Sequence, residues 1–392
     1  MSVNFTFNNG GTNTDFDDAF IRKELFTQGG LWSWGRNATG QLGDNTVAAK
    51  SSPVQTVAGG TNWKQVSGGG IGHTAAIKTD GTLWTWGGNN IYGTLGDNTV
   101  ANNSSPVQTV AAGTNWKSVA SRSIYTTAIK TDGTLWTWGF NGQGQLGDNT
   151  VVNKSSPVQT VSAGTNWRLV AGGNYHTLAI KTDGTLWTWG RNTNGQLGDN
   201  TITHRSSPVQ TIFGGTNWKQ VAAMAEANFS AAIKTDGTLW TWGHNDRGQL
   251  GDGSSITHRS SPIQTISGGT NWKQVAGGQY HIAAIKTDGT LWTWGNNVNG
   301  QLGRNDVTPQ SSPVQTVAGG TDWKLAAGGT YHTAAIKTDG TLWLWGRNNY
   351  GQLGRSDITH RSSPVQTVAG GTNWKQVAGS TNYTTAIRED FY

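Results

Sequence analysis

Histidine is the side chain best suited to acid–base or metal chemistry at neutral pH. Four of the eight histidines here, His73, His176, His281 and His332, recur at one position of a repeated segment that ends Ala-Ile-Lys-Thr-Asp-Gly. The remaining repeats place Tyr125, Phe229 and Tyr383 there. Phe cannot replace a metal ligand, so the column reads as structural. His204, His258 and His360 stand in separate repeats, each beside an arginine that discourages a cation, and His244 is a lone member of a variable loop. Asp44, Asp97, Asp148, Asp199 and Asp252 follow a Gly-x-Leu-Gly motif, but Arg304 and Arg355 take that place later and no alternating Asp pattern of a calcium loop is present. The chain has no cysteine, which excludes disulfides, thiolate metal sites and thiol nucleophiles. Gly-x-Ser-x-Gly, P-loop and paired-carboxylate patterns are missing too. The expectation is a protein without catalytic residues, metal or cofactor, and therefore not an enzyme.

The element that must position these residues is a repeat. The motif Leu-Trp-x-Trp-Gly starts at Leu31, Leu83, Leu135, Leu186, Leu239, Leu291 and Leu342, at spacings of 52, 52, 51, 53, 52 and 51 residues. Periods near 50 mark propellers and solenoids. Within a period, Asn62–Val66 reads as a short strand, His73–Lys78 as a second and Leu83–Trp86 as a third. Asp80-Gly81 is read as a two-residue hairpin turn with positive φ at both positions. The fourth strand, Ser-Ser-Pro-Val-Gln-Thr-Val, holds Pro53 and its equivalents, which suit an outer edge where the missing N–H faces solvent. All 21 tryptophans fall in repeat columns, a regularity expected of packing between blades rather than of a binding cage. The first period begins part-way through its pattern and the last ends there. The ring therefore closes only if Leu31, Trp32 and Trp34 pair with the strand holding Tyr383 and Ile387.

Only 13% of residues are charged, about half the usual share, and Gly numbers 57. The net charge of +6 is spread thinly along the repeats without a basic run, which argues against nucleic acid. No apolar run approaches the roughly 20 residues of a membrane span, and Met1 is followed by polar residues instead of a signal peptide's core. The expectation is a soluble chain with no membrane insertion. Residues 1–25 precede the repeats as an extension, and residues 26–392 form the ring. Within the extension, residues 1–12 are expected to lack fixed structure. Thr14–Leu25 reads as a short helix with Phe16 and Phe20 one turn apart and Ile21 alongside, either covering the ring itself or attaching it to another subunit.

Comparison among the repeats separates scaffold from candidate surface. Variation concentrates in three loops. One follows Trp-Gly and contains a constant asparagine (Asn37, Asn89, Asn141, Asn192, Asn245, Asn297, Asn348) read as holding the turn. The second precedes Ser-Ser-Pro and three times reads Thr-His-Arg. The third links the first two strands and includes the unusual Met224–Phe229. Arg36, Tyr92, Phe140, Arg191, Arg247, Arg347 and Tyr350 in the first loop are the aromatic and guanidinium anchors typical of interfaces. The alternative is a set of loops that drift freely because nothing binds them.

The combined pattern WGxNxxGQLG, a Pro-containing strand, then VAGGxYHTxAIKTDG resembles the regulator-of-chromosome-condensation repeat family over residues 26–392. The resemblance implies an all-β, seven-bladed β-propeller closed by strands from both termini. The founding member of that family is a nucleotide-exchange factor for a small GTPase, with a wedge-like insertion and a basic tail. Here no period exceeds its neighbours by more than two residues, and residues 1–25 set Asp15, Asp17, Asp18 and Glu24 against Arg22 and Lys23, so both features are missing. The ultraviolet-photoreceptor branch places Trp before the histidine of the column, where this chain has Gly72, Tyr175, Tyr280 and Tyr331. A third branch, secreted bacterial inhibitors, binds protein targets through loops on one face and offers the nearest functional analogy. The segment TDFDDAFIRKELFTQGGLWSWG looks like the N-termini of repeat proteins encoded by phages of marine bacteria. The leading expectation is a non-enzymatic virion appendage, attached through its N-terminal segment and presenting its loops to other virion proteins or to a host receptor or glycan at the virion surface. The alternative is a soluble, cytoplasmic regulatory or inhibitory propeller that binds one partner protein.

Overall fold

The computed structural model describes residues 29–389 except 71, 89, 112, 162, 163 and 224–226. The proposed attachment segment with Phe16, Phe20 and Ile21 lies outside the described residues. Seven antiparallel four-stranded sheets form the blades of a propeller. Blade 1 consists of Trp63–Gly68, His73–Lys78, Leu83–Gly87 and Asn103–Gln108, from the axis outward. Blades 2 to 6 repeat it from Trp116, Trp167, Trp218, Trp272 and Trp323. Blade 7 joins Trp374–Gly379 and Tyr383–Arg388 to Gly30–Gly35 and Lys50–Gln55 from the chain's beginning. The closure register is Leu31↔Ile387, Trp32↔Ala386 and Gly35↔Tyr383, as the truncated first and last periods require. The innermost strands surround a central cavity of about 280 Å³.

Residue type follows position in the blade. The second strand, His-Thr-Ala-Ala-Ile-Lys in blade 1, is buried on both faces up to its terminal lysine, which explains an apolar and small-residue run in place of alternation. The proline-bearing fourth strand is only half-buried and holds the outer edge. The Asp-Gly turn departs from expectation. Lys78 N donates to Thr82 O at 3.0 Å and Gly81 N to Lys78 O at 2.9 Å, closing a three-residue loop in which Gly81 alone has positive φ, +80°. Asp80 adopts ordinary φ because a three-residue loop turns left-handed only at its last residue, and its carboxylate accepts from Thr82 N and Oγ1 at 2.9 and 2.7 Å. Gly81 is obligatory for a second reason, since a Cβ there would come within 2.1 Å of Thr114 O.

The blade interfaces carry the core. Trp63 and Trp86 meet edge-on with ring centroids 6.1 Å apart, in a cluster that also holds Leu31 and Ile387 from blade 7. Trp86 Nε1 donates to Gln41 O at 3.0 Å. The first tryptophan of each motif differs: Trp84 is half-buried, donates to Thr82 Oγ1 at 2.9 Å and lies under Lys78 Nζ at 4.6 Å from the ring centre.

The histidine column is structural. His73, His176, His281 and His332 are fully buried, and each Nε2 meets a hydroxyl of the next blade, from Thr126, Ser230, Thr333 and Thr384, at 2.9 to 3.0 Å. Tyr125 and Tyr383 instead donate across the interface to His176 O and His73 O. Phe229 has nothing to donate, and the blade facing it carries Ile282 where the others carry Thr or Ser; both lie in one apolar cluster. Ile282→Thr is expected to lower stability by about 2–3 kcal/mol through lost apolar contact with Phe229, its hydroxyl finding only the Gln249 carbonyl that the matching hydroxyls of other blades find in theirs. Adding Phe229→His should recover about 1–2 kcal/mol by restoring the pair found elsewhere. Urea unfolding of the single and double variants measures the coupling, and strictly additive losses would refute the pairing.

Candidate partner-binding face

Because the innermost strand and the third strand run the same way, both connections that begin at their ends emerge on one side of the ring. All three variable loops therefore share a face. Hydrogen bonds stitch the first loop to the third: Arg36 N to Asn382 O at 2.8 Å, Arg191 N to Tyr175 O at 2.8 Å and Arg347 N to Tyr331 O at 2.9 Å.

Inside each loop an asparagine acts as clasp. Asn37 Oδ1 accepts from Leu42 N at 2.9 Å, and its Nδ2 donates to Asp44 Oδ1 and Thr46 O at 2.9 and 3.0 Å. In blade 1 this role belongs to Asn90, the loop holding one residue more before the clasp; Leu95 N donates to Asn90 Oδ1 at 2.9 Å, and Asn89 lies outside the described residues. Where Arg304 and Arg355 replace the usual aspartate, the carboxylate moves two residues on, to Asp306 and Asp357. These accept from Asn297 and Asn348 Nδ2 at 2.8 and 3.0 Å. The recurrent aspartate is thus a loop brace.

The Thr-His-Arg triplets also brace. His204, His258 and His360 accept at Nδ1 from the N–H of Asn192, Asn245 and Asn348, at 3.0 to 3.2 Å. The adjoining Arg205, Arg259 and Arg361 bind Asp199, Asp252 and Asp357 at 2.8 to 3.0 Å. His244 is not the isolated residue its loop suggests: its Nε2 lies 2.9 Å from Asp246 Oδ2, and His258 Nε2 lies 3.6 Å from Asp246 Oδ1. This trio has the composition of a metal site, but its hydrogen bonds oppose one. His258 Nδ1 accepts from Asn245, and His244 Nδ1 accepts from Gln249 Nε2 at 2.9 Å. A neutral imidazole accepting at Nδ1 carries its proton on Nε2. Both Nε2–H groups point at the carboxylate and present no lone pair to a cation.

The variable aromatic and arginine residues fall into two sectors. In blades 1 to 3, Tyr92 and Phe140 meet at 4.9 Å, Phe140 and Tyr175 at 5.8 Å, and the Arg191 guanidinium lies 5.6 Å from the Tyr175 ring centre. Phe140, Gln143, Tyr175, Arg191, Thr193 and His204 line a cavity of about 350 Å³. Arg191 Nε donates to Thr193 Oγ1 at 3.0 Å, which fixes the guanidinium in the wall. In blades 6 and 7, Arg347 stacks on Tyr331 at 5.2 Å and Arg36 on Tyr350 at 5.8 Å. Arg247 joins neither sector and stands exposed in blade 4. Tyr175 and Tyr331 join the candidate face by position, since the residue preceding the buried histidine column lies beneath the first loop, and Gln143 and Thr193 join it as members of that loop.

The opposite face carries the Asp-Gly turns and the lysines. Each blade contributes a basic residue at the second position of its innermost strand, and burial together with the nearby Lys117 charge holds Lys64 below the usual lysine range. Charge that is dispersed along the chain is therefore gathered in space by the repeat.

The RCC1-like domain pattern matches residues 155–391, and the regulator of chromosome condensation (RCC1) repeat pattern matches residues 28–77 and 63–93. The ultraviolet-B receptor UVR8 of Arabidopsis thaliana is 32% identical over 341 residues, spanning 85% of this chain and 76% of that protein. The mitochondrial RCC1 domain-containing protein RUG3 of the same plant is 27% identical over 394 residues, spanning 91% and 84%. Among solved structures, Prp20p of Saccharomyces cerevisiae, described with its binding to Gsp1p and histones, has a TM-score of 0.83 at 18% identity over 95% of each chain. Human WBSCR16 has a TM-score of 0.81 at 20% identity, over 93% of this chain and all of that one. The structural likenesses speak to the fold; the pattern over residues 155–391 and the 32% identity speak to descent. The chain belongs to the regulator of chromosome condensation (RCC1) repeat family.

Proposed function

We propose that this chain is a non-enzymatic regulatory propeller that binds a partner protein through the face holding its three variable loops. The observation carrying this reading is the sector built by Tyr92, Phe140, Tyr175 and Arg191 around a cavity of about 350 Å³. It combines rigid aromatic walls with a positioned guanidinium, the composition of an interface hot spot. Arg36, Arg347 and Tyr350 extend the same face, and Arg247 adds an exposed charge. The relatives named above, a receptor and a mitochondrial RCC1-domain protein, together with a yeast propeller described as binding Gsp1p and histones, favour partner binding over the virion reading. That second reading rests on residues outside those described.

Stoichiometric capture of a partner by the full-length chain, followed by titration with Phe140→Ala and Arg191→Ala variants, tests the assignment. Each substitution is expected to weaken binding by about 2 kcal/mol, roughly 30-fold, while leaving the melting temperature nearly unchanged. Unaltered affinity in the double variant would remove these blades from the interface.

A further inference from the structure

Most repeats place Gly or Ser where the innermost strand ends, at Gly69, Gly173, Gly278, Gly329 and Ser380, whereas blade 2 places Arg122 there. Its innermost strand runs one residue longer than that of its neighbours, Trp116–Arg122, and returns at once through Ser123 and Ile124 with Arg122 paired to Tyr125. Ser123 holds φ at +23°, an unusual conformation for a residue with a side chain. The turn delivers a guanidinium to the end of the central cavity, which Arg122 lines together with Ser67. Gly172 of the next blade makes room for it: a Cβ there would lie 2.6 Å from Arg122 Cγ.

This charge lacks a counter-charge among the described residues. Arg122 Nε is buried without a hydrogen-bond partner, as is the Ser123 hydroxyl. The titratable groups acting on Arg122 are the phenols of Tyr125 and Tyr383, both raised by burial, the latter to about 12, so both are neutral at pH 7. Their protons already point at His176 O and His73 O. A guanidinium cannot relieve its burial by losing a proton, unlike lysine or histidine. It needs an anion. On the far side the same cavity is lined by Gly277, Gly328 and Gly379, which bring no side chain into it, and Arg122 is the one charged residue in its lining.

We propose that the end of the central channel at Arg122 binds a small oxyanion, phosphate or the carboxylate of a compact ligand, with the guanidinium as its principal donor. The site is separate from the variable-loop cavity at Phe140 and Arg191, so it stands or falls independently of partner binding. The test uses the full-length chain in a low-salt amine-chloride buffer, titrated in parallel with inorganic phosphate and with succinate by calorimetry and thermal melting. A saturable rise in melting temperature is expected with at least one of them, and the tighter of the two identifies the oxyanion. Arg122→Gln should raise the dissociation constant at least about tenfold, as loss of a charged hydrogen-bond donor does. Arg122→Gly, which restores the residue of several other blades, should behave likewise and guards against a folding defect specific to Gln. A wild-type response to neither anion, or an equal response in wild type and both variants, would overturn the proposal.

Discussion

Deleting residues 383–392 is expected to abolish the cooperative melting of the full-length chain instead of merely lowering its midpoint. The deleted strand lies in the middle of blade 7, between Gly30–Gly35 and Trp374–Gly379, and supplies the backbone pairing that joins the two ends of the chain within one sheet. Its removal takes Tyr383, Ala386 and Ile387 out of the core and leaves Leu31 and Trp34, both fully buried, without their cover. Burial of the large apolar groups alone is worth roughly 1.5–3 kcal/mol each. Lost strand pairing on both sides brings the total to the order of 5–10 kcal/mol, comparable with the whole stability of an ordinary domain. It also leaves Leu31–Trp34 and Trp374–Gly379 as unpaired edges facing one another across a gap, the arrangement from which strand exchange between chains begins. Circular-dichroism melting and light scattering after size exclusion provide the readout. A truncated chain that melts like the full-length protein, as a monomer, would show that the ring does not depend on closure. Ile387→Asp, which keeps the strand but places a charge opposite Leu31, should reproduce most of the loss.

The ring was legible in the sequence because a repeat supplies its own alignment. Six spacings near 52 residues fix the blade, and the part-periods at each end fix which strands must pair. What the spacing does not contain is the neighbour across each interface. Phe229 and Ile282 both depart from their columns, yet their correspondence is visible only once blade 4 is known to face blade 5 with these positions opposed. The same limit hid Arg122. An arginine in a column of Gly and Ser looks like drift until that column is seen to line the channel. Counting from the preceding Trp-Gly points to Asn89 in blade 1, whereas the clasp is set by its distance to the following Leu95, whose N–H Asn90 accepts. The basic residues are spread thinly along the sequence, yet rotation about the axis brings Lys64 close enough to Lys117 for repulsion. In the candidate face, residue types were readable as interface-like. Their division into two sectors was not, since contacts such as Tyr92 with Phe140 and Phe140 with Tyr175 cross from one blade to the next.

The four buried histidines predict a steep acid transition. Burial is the chief cause holding them below the usual range, His73 and His332 to about 4, His176 and His281 to about 3. Above about pH 6.5 all four are neutral in both folded and unfolded chains and impose no pH dependence. Below it the unfolded chain takes up protons that the folded chain refuses, so stability falls with pH, and continues to fall until the folded values near 4 and 3 are reached. Each histidine contributes a slope of about 1.4 kcal/mol per pH unit, so the four together approach roughly 5 kcal/mol per unit. Such a slope exhausts a typical domain stability within about one and a half to two and a half units below pH 6.5, which places the unfolding midpoint near pH 4–5. The repeat supplies its own control. His176→Phe with Ser230→Ile copies the Phe229–Ile282 interface into blade 3 and its neighbour, removing one titrating group while keeping the contact apolar on both sides. That variant should lose stability about one quarter less steeply between pH 6 and 4, measured by urea unfolding at fixed pH values. Equal slopes, or a wild-type stability that stays flat down to pH 4, would mean that these imidazoles accept protons inside the folded ring, and that the Nε2-to-hydroxyl bonds between blades do not require the neutral form.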